Sequence, residues 1–161
     1  MKTIPYCLEC RQPIPWGVHV FSQRLYGYSL CMKDQYLIGE SGASGQAVDL
    51  YLALKSRNFP LVLEYFDGHK QVDMAMPGKL YIEVNGPYHP ADRQTMKDLS
   101  HAVYSLERKI PTIIISNALL DNPRTFDHVV NELSKACRMM LKPENVYSFT
   151  AAPPLTAAQL Q

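Results

Sequence analysis

Two carboxylates, Asp73 and Glu83, sit in the apolar stretch VDMAMPGKLYIEVNG, which spans residues 72–86 and contains a Pro-Gly turn. Folded as two antiparallel strands about Pro77-Gly78, this stretch brings the acids together, and facing carboxylates repel unless a cation lies between them. Mg²⁺ and Mn²⁺ are the natural occupants, since hard cations take one or two carboxylates and fill their remaining positions with water and phosphate oxygens. A second group with metal chemistry lies near the start, where Cys7 and Cys10 form a C-x₂-C knuckle and Cys31 and Asp34 repeat the spacing. Three thiols and a carboxylate suit Zn²⁺, with His19 as an alternative fourth ligand. Free thiols and a redox pair are the other readings of this knuckle.

The elements that must position these groups follow from periodicity and punctuation. Residues 5–36 are rich in turn formers and read as a small zinc-ribbon-like segment, with Trp16, Phe21, Tyr26 and Tyr28 either forming its core or stacking on bases. The loop GESGASGQ, residues 39–46, marks a boundary and places a helix N-cap at Ser44. An apolar-rich helix is expected from Gln46 to Arg57. Three short β runs follow, at 61–66, 70–76 and 79–84, separated by Asp-Gly and Pro-Gly. Met96, Leu99, Val103 and Leu106 predict an amphipathic helix over 89–109. PTIIIS, residues 111–116, reads as a fully buried strand, and 123–142 returns to helical period. Segment 1–38 is thus the zinc-ribbon-like part, 39–142 an α/β domain of order αβββαβα, and 143–161 an irregular tail.

In this order the chain resembles the PD-(D/E)xK, or restriction-endonuclease-like, nucleases, and within them the very-short-patch-repair-like branch. That branch carries K-x-x-D-hydrophobic-A-hydrophobic-P, then hydrophobic-E-V-D-G, then a His three residues on; here the segments are KQVDMAMP and IEVNGPYH. The resemblance implies a mixed sheet, Mg²⁺ or Mn²⁺ held by Asp73 and Glu83, and hydrolysis of DNA phosphodiester bonds. It also implies that His89 serves as general base or phosphate-contacting donor. The lysine of the family's ExK is Asn85 here, and the branch's later D-x-x-R ends in His101 instead of Arg. Lys70 is the other source of an ammonium, although ideal alternation puts it on the face opposite Asp73, so a bulge or strand end is needed to bring it round. Glu64 is a candidate third acid. Gln46 and Asp49 occupy the place where many members carry an acid on the first helix.

Composition sets the remaining bounds. Hydrophobic residues make up 47% and charged residues 19% of the 161, enough for one packed core and too little charge for a disordered chain. The net charge of +1 supplies no global field, so DNA would be met by local cations among Lys55, Arg57, Arg93, Lys97, Arg108 and Lys109. Any one of these is equally readable as part of a solvated helix face, and His69 as an exposed loop residue. No signal peptide or long apolar run is seen, which makes the cytoplasm the default location. A homodimer suits a double-strand cut, which needs two sites, whereas a nickase needs one. The competing functions are a catalytically inactive DNA-binding or protein-interaction module on the same fold, and an unrelated α/β binding protein.

Overall fold

A computed structural model describes residues 4–85 and 108–142 of the chain. Three helices come first: α1 (Trp16–Tyr26), α2 (Met32–Gly39) and α3 (Gly45–Lys55). Strands β1 (Val62–Phe66), β2 (Gln71–Met76), β3 (Leu80–Asn85) and β4 (Thr112–Ser116) follow, then α4 (Asn117–Leu120) and α5 (Pro123–Leu141). The predicted helix over 89–109 falls outside the described residues except for its last two positions.

The sheet runs β1-β2-β3-β4, antiparallel through the two hairpins and parallel between β3 and β4. A mixed sheet in this order, with α3 before it and helices after it, is the restriction-endonuclease-like core expected from the sequence. Ser44 accepts from the Ala47 N–H at 3.2 Å, so the predicted cap does start α3. Leu50, Leu52 and Leu54 of α3 are fully buried, as befits a central helix. Asn122 caps α5 with Pro123 in its first turn, and Val130, Leu133 and Cys137 recur at three- and four-residue spacing on its buried face.

Three local expectations are corrected. β4 is not fully buried: Ile115 packs in the core while Ile114 is 63% exposed, because β4 pairs only with β3 in the described sheet and one of its faces lies off the core. The segment before residue 39 keeps the spacing of a zinc ribbon but is built as a knuckle followed by two helices. Trp16 and Phe21 lie exposed on α1, whereas Tyr26 and Tyr28 pack half-buried against the core. That core is shared: Cys7, Ile14, Leu30 and Ile38 belong to the same cluster as Leu50, Met74 and Ile82.

The feature that shapes the site is a break in the pleat. Met74, Met76, Leu80 and Ile82 face the main core, while Ala75 and Tyr81 face a second cluster on the opposite side. Strict alternation would send Val72 and Tyr65 to the main core with Met74 and Leu63, yet both pack with Tyr81. Glu64, with φ of 48°, is the residue at which β1 crosses over, and Asp73 lies opposite it in the register. No residue is inserted, since Leu63↔Met74 and Tyr65↔Val72 keep one register across the break.

Candidate active site and metal centre

The pairings Leu63↔Met74 and Tyr65↔Val72 set Asp73 opposite Glu64, whereas Asp73 and Glu83 lie just past the last β2–β3 pair and are not partners in the ladder. The β2–β3 ladder stops at Met74↔Ile82, and the Val84 N–H donates to Asp73 Oδ2 at 2.5 Å. The carboxylate therefore occupies the fork where the two strands part, satisfying a donor that would otherwise face a missing strand partner. Burial pushes the Asp73 carboxyl up, the Val84 bond offsets part of this, and the Glu83 charge adds to it. Glu64 is likewise raised, by burial and by the charge of Asp73, despite a hydrogen bond from Gln71. An acid penalised by its surroundings and by a like charge is one that a cation would stabilise.

Lys70 has come round to this face. Its Nζ lies 3.0 Å from Glu83 Oε1, with the lysine side chain 2% and the glutamate 23% exposed. Two causes combine. Lys70 belongs to the turn rather than to β2, with the Asp67 N–H donating to the Lys70 carbonyl at 3.0 Å. The pleat break then puts even-numbered residues before Asp73 on the Tyr81 side. The ammonium also lies 5.3 Å from the centroid of the Tyr81 ring. Asn85 closes β3 beside Ser116, two residues from Glu83.

Other expected members are placed elsewhere or lie outside the described residues. His89, Arg93, Lys97 and His101 fall outside them. The Gln46 amide donates to Asp121 at 3.1 Å, and Asp49 lines a cavity with Tyr28, Leu120 and Phe126. Lys55 is engaged by Glu9 at 3.1 Å and by the Leu61 carbonyl, and Arg57 reaches Val130 O, Asn131 and Ser134 on α5. These contacts give both cations a part in bracing the fold. The backbone N–H of His69 donates to Asp67 Oδ1. Asp67 and Tyr81 were legible in the sequence only as a turn residue and a strand aromatic, and the bonds between them appear only on folding.

At the other end of the molecule, ligand atoms of Cys7, Cys10, Cys31 and Asp34 all lie within 4.8 Å of one another. The knuckle is closed by Cys7 N–H to Gln12 O at 2.8 Å and Arg11 N–H to Cys7 O at 3.1 Å, with Arg11 at φ 59° making the tight turn. The second pair comes from the start of α2, where Cys31 is the N-cap and Asp34 sits in the first turn. His19 is not among these ligands; its Nδ1 pairs with Ser29 Oγ at 2.8 Å.

The donor set fits a tetrahedral thiophilic ion. Zn–S bonds of about 2.3 Å at the tetrahedral angle place sulfurs ~3.8 Å apart. Cys10 and Cys31 Sγ are 3.9 Å apart. The thiols of Cys7 and Cys31 both donate to Asp34 Oδ2, at 3.0 and 3.1 Å, so protons hold together what a cation would. Burial and the Asp34 carboxylate push the Cys7 thiol up to about 12. The Cys31 N–H points at Cys7 Sγ (3.2 Å) and the Asp34 N–H at Cys31 Sγ (3.5 Å), the kind of donor that steadies a bound thiolate. The cluster can coordinate a metal ion of zinc type.

No helix among the described residues is long and apolar enough to cross a membrane. In comparisons with known proteins, no family model, curated protein or solved structure matches this chain. The αβββ and βα parts of the core and the Cys₃Asp cluster are consistent with a PD-(D/E)xK-like fold bearing a metal centre.

Proposed function

We propose that the chain is a Mg²⁺- or Mn²⁺-dependent endodeoxyribonuclease or nickase that hydrolyses phosphodiester bonds, and that its Cys₃Asp cluster holds a structural Zn²⁺. The observation that carries the nuclease reading is the Lys70–Glu83 pair at 3.0 Å, with the Glu83 charge felt at Asp73. It supplies the ammonium that Asn85 cannot.

Asp73 and Glu83 would hold the divalent ion, which when bound polarises a phosphate and lowers the pKa of a water. Lys70 then has two tasks open to it. Its ammonium can donate to the attacking water, orienting it, and can stabilise negative charge that develops on the phosphate oxygens. Asn85 adds a neutral amide at the end of the same strand, able to orient water but not to offset charge. His89, at the spacing of the resembling branch, is assigned proton transfer to or from the reacting oxygens.

The test is supercoiled plasmid with Mg²⁺ or Mn²⁺, beside Asp73→Asn, Glu83→Gln and an EDTA control, with zinc quantified in the same preparation. Isosteric changes matter because Glu83→Ala would leave the buried Lys70 ammonium unpaired, and loss of fold would mimic loss of chemistry. Nicking or linearisation by the native protein that both variants lose supports the reading. A second reading, an inactive DNA-binding module, is favoured by Asn85 in place of lysine; it expects salt-sensitive DNA binding with no cleavage under either metal.

A further inference from the structure

The geometry points to Asp67 and Tyr81 as a positioning pair that aims the Lys70 ammonium at Glu83, an inference that takes the role of Lys70 from the nuclease reading above. A lysine has four rotatable side-chain bonds and a mobile head, so a catalytic lysine must be held by something other than its own stem. Here the hold begins at the backbone. Asp67 Oδ1 accepts from the N–H groups of both His69 and Lys70 at 2.9 Å, locking the turn from which the side chain starts. Gly68, at φ 96°, gives that turn the left-handed step it needs.

The other oxygen of the same carboxylate, Asp67 Oδ2, accepts from the Tyr81 hydroxyl at 2.9 Å. That bond fixes the position of the ring, whose centroid lies 5.3 Å from Lys70 Nζ. One aspartate thus fixes where the lysine side chain leaves the backbone and where the surface beneath its ammonium lies. Burial works against the charge on Asp67, but the Lys70 and His69 N–H groups, the Tyr81 hydroxyl and the Lys70 charge together hold its carboxyl below the usual range, so it remains an acceptor. Tyr81 is 2% exposed and also packs against Tyr65, with ring centroids 6.3 Å apart. A purely structural role for it is therefore the alternative that the experiment must separate.

The experiment combines single-turnover cleavage of a DNA duplex with ¹⁵N NMR of the lysine ammonium groups, using Tyr81→Leu, Tyr81→Phe, Asp67→Ala and Lys70→Met in the full chain. Tyr81→Leu should slow cleavage about tenfold, the size expected from losing a buried cation–π contact, with the half-saturating DNA concentration unchanged. Tyr81→Phe, which keeps the ring but loses the bond to Asp67 that fixes it, should fall between the native rate and that of Tyr81→Leu. On a Lys70→Met background, Tyr81→Leu should cause no further loss, because the residue it positions is gone. The Lys70 ammonium resonance should move in Tyr81→Leu and in Asp67→Ala.

An equal loss on both backgrounds, or an unmoved Lys70 resonance, overturns the proposal. Should Tyr81→Leu fail to fold, Asp67→Ala in the hairpin turn carries the same comparison. If the native protein does not cut, the nuclease reading fails by itself and the NMR arm still decides whether the pair positions Lys70.

Discussion

Asp73 carries a charge that its surroundings disfavour, and the consequences can be measured without any substrate. Its folded-state pKa lies above the unfolded value, chiefly through burial, so the ionised form costs stability at neutral pH. That cost shrinks as the pH falls through the folded pKa and is gone once the group is protonated in both states. Asp73→Asn, whose amide oxygen can still accept from Val84, should therefore raise the urea midpoint of the metal-free protein at pH 7, with the gain fading in mildly acidic buffer. In the native protein Mg²⁺ should give a stabilisation that the variant lacks. The cysteines divide in the same way by surroundings. Cys137 is fully buried, with burial pushing its thiol up to about 11, and it lies outside the four-ligand cluster. Cys137→Ser should leave zinc content unchanged while costing about 1–3 kcal/mol for a buried hydroxyl, whereas Cys31→Ser should lose the metal. Metal analysis and denaturant unfolding of the two variants check this.

At the level of elements, the β1–β2 hairpin depends on a backbone conformation that strands seldom carry. Glu64 adopts φ 48°, a left-handed conformation that costs an L residue roughly 1–2 kcal/mol and costs more with a branched Cβ. Glu64→Gly should therefore hold or raise stability by about 1 kcal/mol, and Glu64→Val should lower it by more than that, both read from urea midpoints. If Val were tolerated, the pleat break would not be a property of the native hairpin. The join between α3 and α5 has a comparable anchor in Arg57, whose guanidinium reaches three acceptors on α5. Arg57→Ala should cost about 1 kcal/mol, read from urea midpoints, because it removes these hydrogen bonds while Ser134 Oγ still donates to the Val130 carbonyl.

Across the whole molecule, the Cys₃Asp cluster and the sheet are tied together because they share a core. Cys7 and Leu30 pack in the cluster that contains Leu50 and Ile82, and Lys55 of α3 pairs with Glu9 inside the knuckle. With Zn²⁺ held there as proposed, stripping it with a chelator should lower the melting temperature of the entire chain rather than melt the first 38 residues alone. The single tryptophan, Trp16, lies on α1, so its fluorescence reports the N-terminal part while far-UV circular dichroism follows the rest. Coincident transitions, both shifted by the chelator, are the expected outcome; two separate transitions would show that the shared core is too weak to couple the parts.

By itself the sequence determined whatever depends on local pattern. Ser44 and Asn122 as helix starts, the Asp-Gly and Pro-Gly turns, the run of β segments and the C-x₂-C spacing all act within a few residues, where hydrogen bonding and backbone preference suffice. Asp73 and Glu83 could be placed on adjacent strands because one short turn sets a hairpin register, but the parting of the strands after Met74↔Ile82 could not be read from it. The helices α1 and α2 were hidden by a stretch rich in turn residues, whose helices have no strong apolar period and are held by packing against a distant core. The position of Lys70 was beyond local reasoning altogether. Alternation assigns it to the wrong face, and only the left-handed Glu64 on a neighbouring strand, together with the turn closed by Asp67, carries its ammonium to Glu83. Register is set by neighbours in sequence, but the break in a pleat is set by what the two faces of the sheet must cover, and that is decided by the tertiary structure.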